Sequence, residues 1–188
     1  MTCAEDSLRR PPPRVDLAAR PLALRLFPDA VLRGFARPLS RGGRRLEALA
    51  RDMLELMCSR RGIGLAAPQV GLLVRLIVAD LGAGPVCLVN PALVPAGSGE
   101  CMEEGCLSLP GVLVEVERAG RVEVRGLDPT GRPRHFEARG LLARVLQHEV
   151  DHLDGVLIID RARPKPGDGS PGKGLVAGRP ARSGPPCL

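Results

Sequence analysis

The sequence predicts an α+β fold, in which a mostly antiparallel sheet packs around a long helix near the C-terminus and a further helix occupies the N-terminal half. Three patterns predict it. Apolar residues recur at helical spacing between Gly43 and Gly62, short β-branched and alternating runs fill Leu72–Ala138, and helical spacing returns from Gly140 to Leu153. Turn signals rather than helices separate the strands, which favours antiparallel pairing over βαβ crossovers.

Each element follows from its residues. Residues 1–20 carry Pro11-Pro12-Pro13 and scattered charge, and are expected to form a disordered leader. Glu5, Asp6 and Asp16 argue against a transit peptide there. Leu46, Leu49, Met53, Leu56 and Met57 give an amphipathic helix of about four turns, with Gly62 as a candidate C-cap. Leu72–Ala79 and Val86–Val89 read as short buried strands. Val112, Val114 and Val116 alternate with Leu113, Glu115 and Glu117, and Arg121-Val-Glu-Val-Arg125 alternates again. Asp128-Pro-Thr-Gly131 is a turn leading into a strand over Arg134–Ala138. In the last helix, Leu142, Leu146 and Leu153 form a core stripe. Residues 164–188 hold six prolines and six glycines in 25 positions and are expected to be a disordered basic tail, leaving 21–163 as the folded unit.

Composition narrows the class. The 188 residues are 44% hydrophobic and 26% charged, a globular balance with room for one core. No apolar run approaches the ~20 residues of a membrane span, and the first residues lack the apolar stretch of a secretory signal, so none is expected. The net charge of +6 is uneven: 13 basic and 7 acidic residues over 1–61, 8 and 13 over 62–160, 6 and 1 over 161–188. Three Phe and no Trp or Tyr leave little with which to stack bases, so DNA is not expected as a partner. Six cysteines without a signal peptide point to a reducing compartment rather than a disulfide framework.

The chemistry concentrates in three segments. In Gln147-His-Glu-Val-Asp-His152, His148 and His152 lie four apart, about 40° around a helix, so both imidazoles leave one face. That spacing lets two neutral nitrogens reach one metal ion. Glu149, about 60° from His152, flanks the face where a general base for a bound water belongs. Leu141 and Val145 continue the face as an apolar wall serving core, pocket or both. A surface helix carrying two histidines is the plain alternative. A third ligand is needed, and the cysteines, His135 and the carboxylates are candidates. Cys106 lies in what reads as an extended loop, Glu103-Glu-Gly-Cys-Leu-Ser-Leu-Pro110, while His135 sits among charged neighbours and is expected to face solvent. Gly62-Ile-Gly-Leu-Ala-Ala-Pro-Gln-Val-Gly71 offers close backbone approach and one amide, Gln69, inside an apolar connection. It lacks the lysine of a phosphate loop.

Together Gly62–Gln69, Glu104–Ser108 and Gln147–Gly155 resemble the three signature motifs of the peptide deformylases, in that family's order, with similarity extending over roughly Leu24–Arg161. The resemblance implies the family's α+β fold around a metal-binding helix and removal of the formyl group from N-formylmethionine of new polypeptides. It implies Cys106, His148 and His152 as ligands of one divalent ion, Fe²⁺ first, with Zn²⁺, Ni²⁺ or Co²⁺ as substitutes. Hydroxide from a metal-activated water would attack the formyl carbon, with Glu149 as base and then as acid for the departing amine. Gln69 and the Leu107 backbone N–H would hold the oxyanion, and Ile63, Gly64, Leu141 and Val145 would receive the methionine. Nascent formyl-Met polypeptides are the implied partner, with the ribosome surface a further one through the basic ends. A bacterial cytoplasm is the expected place, an organellar stroma or matrix the second. Three departures stand out: Gly111-Val-Leu-Val114 where many members carry a substrate-holding arginine, a Pro/Gly-rich end where bacterial members often carry a ribosome-docking helix, and a longer leader. Two rivals are an endopeptidase, since H-E-x-x-H helices serve proteases too, and an inactive ribosome- or RNA-associated protein whose basic ends do the binding. The Cys106 segment argues against the first, and intact Glu149 and Gln69 against the second.

Overall fold

The computed structural model describes residues 22–40 and 42–162; the leader 1–20 and the tail 164–188 lie outside the described residues. Helix α1 (Arg44–Ser59) is followed by β1 (Gly64–Ala66), β2 (Leu76–Ala79), β3 (Val86–Cys106), β4 (Leu109–Leu127), β5 (Pro133–Arg139), α2 (Gly140–Leu153) and the short α3 (Ile158–Arg161). The five strands form one sheet in sequence order, every neighbour antiparallel. No helix among the described residues is long and apolar enough to cross a membrane.

The predicted order holds, with local differences. A short strand, β1, occupies Gly64–Ala66 within the expected helix-to-strand connection, and the strand expected over Leu72–Ala79 starts at Leu76 as β2. The runs at 112–117 and 121–125 are one strand, β4, because β3 continues far beyond Val89 and pairs with it along its length. Cys106 is therefore not in a loop but at the last position of β3. The left-handed residue ending α1 is Arg61 (φ 55°), not Gly62; Gly62 N–H donates to Met57 O at 2.9 Å and Arg61 N–H to Cys58 O at 3.0 Å. That pair of bonds is a Schellman closure, which satisfies the orphan carbonyls of the last turn.

The sheet lies between the two long helices, and β2 shows why its four residues are all apolar. Leu76 and Val78 join Leu46, Leu49, Met53 and Met57 of α1, while Ile77 and Ala79 join Ala143, Leu146 and Leu153 of α2. A strand covered on both faces loses the usual polar alternation. Beyond residue 96, β3 and β4 continue as a two-stranded ribbon across α2, turning at Leu107–Ser108. Glycine is required at the end of α2. Gly155 has φ 71°, and a Cβ there would lie 2.6 Å from Arg33 O. Its bend lets Val156 N–H donate to Asp151 O at 2.9 Å, fixing the turn after His152.

Candidate metal centre and active site

Helix α2 brings His148 and His152 to the end of β3, where Cys106 waits. One ligand atom from each of Cys106, His148 and His152 lies within 4.8 Å of the other two. Cys106 Sγ is 3.2 Å from His152 Nε2. His152 is buried, and the His148 side chain is 11% exposed. The donor set, one sulfur and two imidazole nitrogens, suits a divalent transition metal. A second observation fits an ion with water beside it: Glu149 is buried, and its Oε2 has no hydrogen-bond partner within the described protein. Burial pushes the Glu149 carboxyl up to about 7, with the charge of His148 pulling the other way. His152 is held well below the usual imidazole range by burial and by the positive charges of His148 and Arg118. On His148 burial also acts downward, but hydrogen bonding to Cys106 and Glu104 outweighs it and raises the group to about 10.

The first segment closes over this centre. Gln69, 1% exposed, accepts from Ala66 N–H through Oε1 at 2.8 Å. Its Nε2 donates to Ser108 Oγ at 3.1 Å and lies 3.6 Å from Cys106 Sγ. The residues before α1 strap both segments: Arg25 N–H donates to Gln69 O at 2.7 Å and Phe27 N–H to Ser108 O at 2.9 Å. Gly64 stands against the helix where any Cβ would strike the Glu149 carboxylate and Val145 Cγ1, so only glycine leaves Glu149 its place. Val145 is buried while Ile63 and Leu141 are 43% and 47% exposed. Leu107 lies in the β3–β4 turn beside Cys106. His135 is 63% exposed and pairs with Glu123 at 2.7 Å, far from any ligand role. Leu113 is 66% exposed and pairs across the ribbon with Gly105.

Sequence reasoning passed over the polar framework behind the ligands. Glu104, two residues before Cys106 on the same face of β3, accepts from His148 Nδ1 at 3.1 Å, from Arg118 Nε at 2.7 Å and Nη2 at 3.0 Å, and from Arg144 Nη1 at 2.7 Å. Burial opposes its ionisation, but the His148 and Arg118 hydrogen bonds, the Arg118 charge and Arg144 bring it down to about 2. Arg118 Nη1 also donates to Asp151 Oδ2 at 2.8 Å, and Arg161 Nη2 to Asp151 Oδ1 at 2.6 Å. One signal was available: extending the Val112, Val114, Val116 alternation puts Arg118 on the inward face. A buried arginine there demands a carboxylate partner.

Comparison with known proteins converges on one family. The family described as polypeptide deformylase matches residues 21–166. A peptide deformylase of Dictyoglomus thermophilum is 48% identical over 139 residues, 74% of this chain and 91% of that protein. The crystal structure of peptide deformylase from Thermotoga maritima superposes with a TM-score of 0.75 at 44% identity, covering 78% of this chain and all of that one. A peptide deformylase from Synechococcus elongatus, solved in complex with actinonin, gives 0.75 at 50% identity, over 79% of this chain and 82% of that one. With the match spanning the whole described fold and the metal-donor cluster inside it, the chain belongs to the peptide deformylase family of metallohydrolases.

Proposed function

We propose that this chain hydrolyses the N-terminal formamide of formylmethionine on new polypeptides, releasing formate and a free amine. The observation that carries the reading is the meeting of Cys106, His148 and His152 within 4.8 Å, beside a buried carboxylate whose Oε2 has no hydrogen-bond partner among the described residues. Cys106, His148 and His152 would hold one divalent ion, Fe²⁺ first and Zn²⁺, Ni²⁺ or Co²⁺ in its stead. When bound, such an ion acidifies water and polarises the carbonyl oxygen.

The protein groups supply the rest. Glu149 takes the proton of the attacking water, which its raised pKa of about 7 suits. It then delivers that proton to the nitrogen as the C–N bond breaks. The oxyanion is met by Gln69 Nε2 and the Leu107 backbone N–H, donors that together contribute several kcal/mol to such transition states. Val145 and Gly64 floor the methionine site, and Ile63 and Leu141 border it. Docking beside the ribosome would use the basic ends, and a bacterial cytoplasm supplies both the substrate and the reducing conditions a thiolate ligand needs.

The test is formate release from a formyl-Met-Ala peptide by protein purified without oxygen and loaded with Fe²⁺ or Ni²⁺. One formate per peptide and no cleavage of unformylated peptides is the expected result. Fully metallated protein that yields no formate overturns the proposal, and cutting at internal peptide bonds would favour an endopeptidase instead.

A further inference from the structure

Helix α2 meets the β3–β4 ribbon through a stripe of polar side chains, Arg144, Gln147, His148 and Asp151, at the i, i+3, i+4, i+7 spacing of one helix face. Three have evident work. His148 is a candidate ligand, Asp151 pairs with Arg118 and Arg161, and Gln147 grips Ala119, accepting from its N–H at 3.2 Å and donating to its carbonyl at 2.8 Å. Arg144 is 6% exposed, and nothing in the reaction as derived uses it.

Its contacts point to one job. Nη1 donates to Glu104 Oε1 at 2.7 Å and to Val116 O at 3.0 Å, and Nη2 donates to Glu100 O at 2.5 Å. Glu104 Oε2, the other oxygen, accepts from His148 Nδ1. Arg118 grips Glu104 as well, but Arg118 and Glu104 both belong to the ribbon, so their bond fixes strand to strand. Among the described residues that hydrogen-bond Glu104, Arg144 and His148 come from α2. Arg144 lies one turn before His148 and therefore sets the carboxylate against the helix that carries the ligand. A carboxylate fixed in this way keeps the proton on Nδ1 and leaves Nε2 for an ion.

We propose that Arg144 is a positioning residue for His148: by locking Glu104 Oε1 it aims Oε2 at Nδ1 and holds the ring in the orientation that binds metal. This rests on the ligand set proposed above. It predicts slower metal loss than the three ligands alone would give, because groups that orient a histidine ligand are typically worth ~10–100-fold in metal affinity.

The experiment loads the full chain and its variants with Co²⁺, records the visible spectrum, and measures release into excess chelator. Arg144→Met keeps the bulk and removes the donors. Arg144→Lys keeps the charge and one donor. Gln147→Met loosens the same helix from the same ribbon without touching Glu104, which separates positioning from general loosening. Arg144→Met should release Co²⁺ ~10-fold faster or more and move the spectrum, Arg144→Lys should fall between it and the parent, and Gln147→Met should match the parent. Equal release by Arg144→Met and Gln147→Met, or a parent-like Arg144→Met, would overturn the inference. If Arg144→Met does not fold, a parent-like rate and spectrum for Arg144→Lys would overturn it. A parent chain that binds no Co²⁺ would instead sink the ligand assignment itself.

Discussion

The two sides of α2 solve the same packing problem with opposite chemistry. Toward the sheet, Ala143, Leu146 and Leu153 meet Ile77, Leu88, Val122 and Val124 in a wholly apolar core. Toward the ribbon, Arg144, Gln147, His148 and Asp151 meet Glu104, Arg118 and backbone groups through directed bonds. The apolar side tolerates small displacements, because dispersion and burial are not directional. The polar side does not, since a buried ion left without its partner costs more than the pair contributes. His148, a candidate ligand, stands on the side that cannot slip, while the apolar side supplies stability without regard to sub-ångström aim.

The comparison can be broken by exchanging losses between the two sides. Arg118→Met leaves Asp151 buried with only the half-exposed Arg161 and strips two bonds from Glu104. Thermal or denaturant unfolding of the metal-free protein should show a loss of about 3–5 kcal/mol, and the loaded protein should lose metal faster. Leu146→Ala opens a cavity against Ile77 and Leu88 and should cost about 2–5 kcal/mol in the same unfolding measurement, with metal release at the parent rate. If Leu146→Ala sheds metal as readily as Arg118→Met, the division of labour fails. Arg161→Met sharpens the contrast at the small end. Its side chain is 50% exposed, so its pair with Asp151 should contribute no more than about 1 kcal/mol and should weaken further as salt rises.

The same contrast explains what could be read in advance. Helix α1, the all-apolar β2 and the limits of α2 follow from periodicity and turn residues, because nonpolar burial leaves a repeating mark. His148, His152 and Glu149 stood out because few residue types perform that chemistry at that spacing, whereas Cys106 was singled out only by the resemblance to the deformylase motifs. The ribbon was hidden: Pro95, Pro110 and five glycines between 97 and 120 interrupt the alternation, so one long hairpin looked like separate pieces and Cys106 like part of a loop. Glu104, Arg118, Arg144 and Asp151 were hidden for another reason. Charged residues usually mark a solvated face, and only the packing of α2 against the ribbon brings these four together.

The account stands or falls on Glu149 acting on the proton while Cys106, His148 and His152 hold the ion. Glu149→Gln keeps the shape beside Gly64 and removes the base, so metal content and formate release should be measured on the same preparation. The account predicts full metal occupancy with formate release reduced ~10²–10⁴-fold. A metal-loaded Glu149→Gln protein that turns over at the parent rate would contradict it.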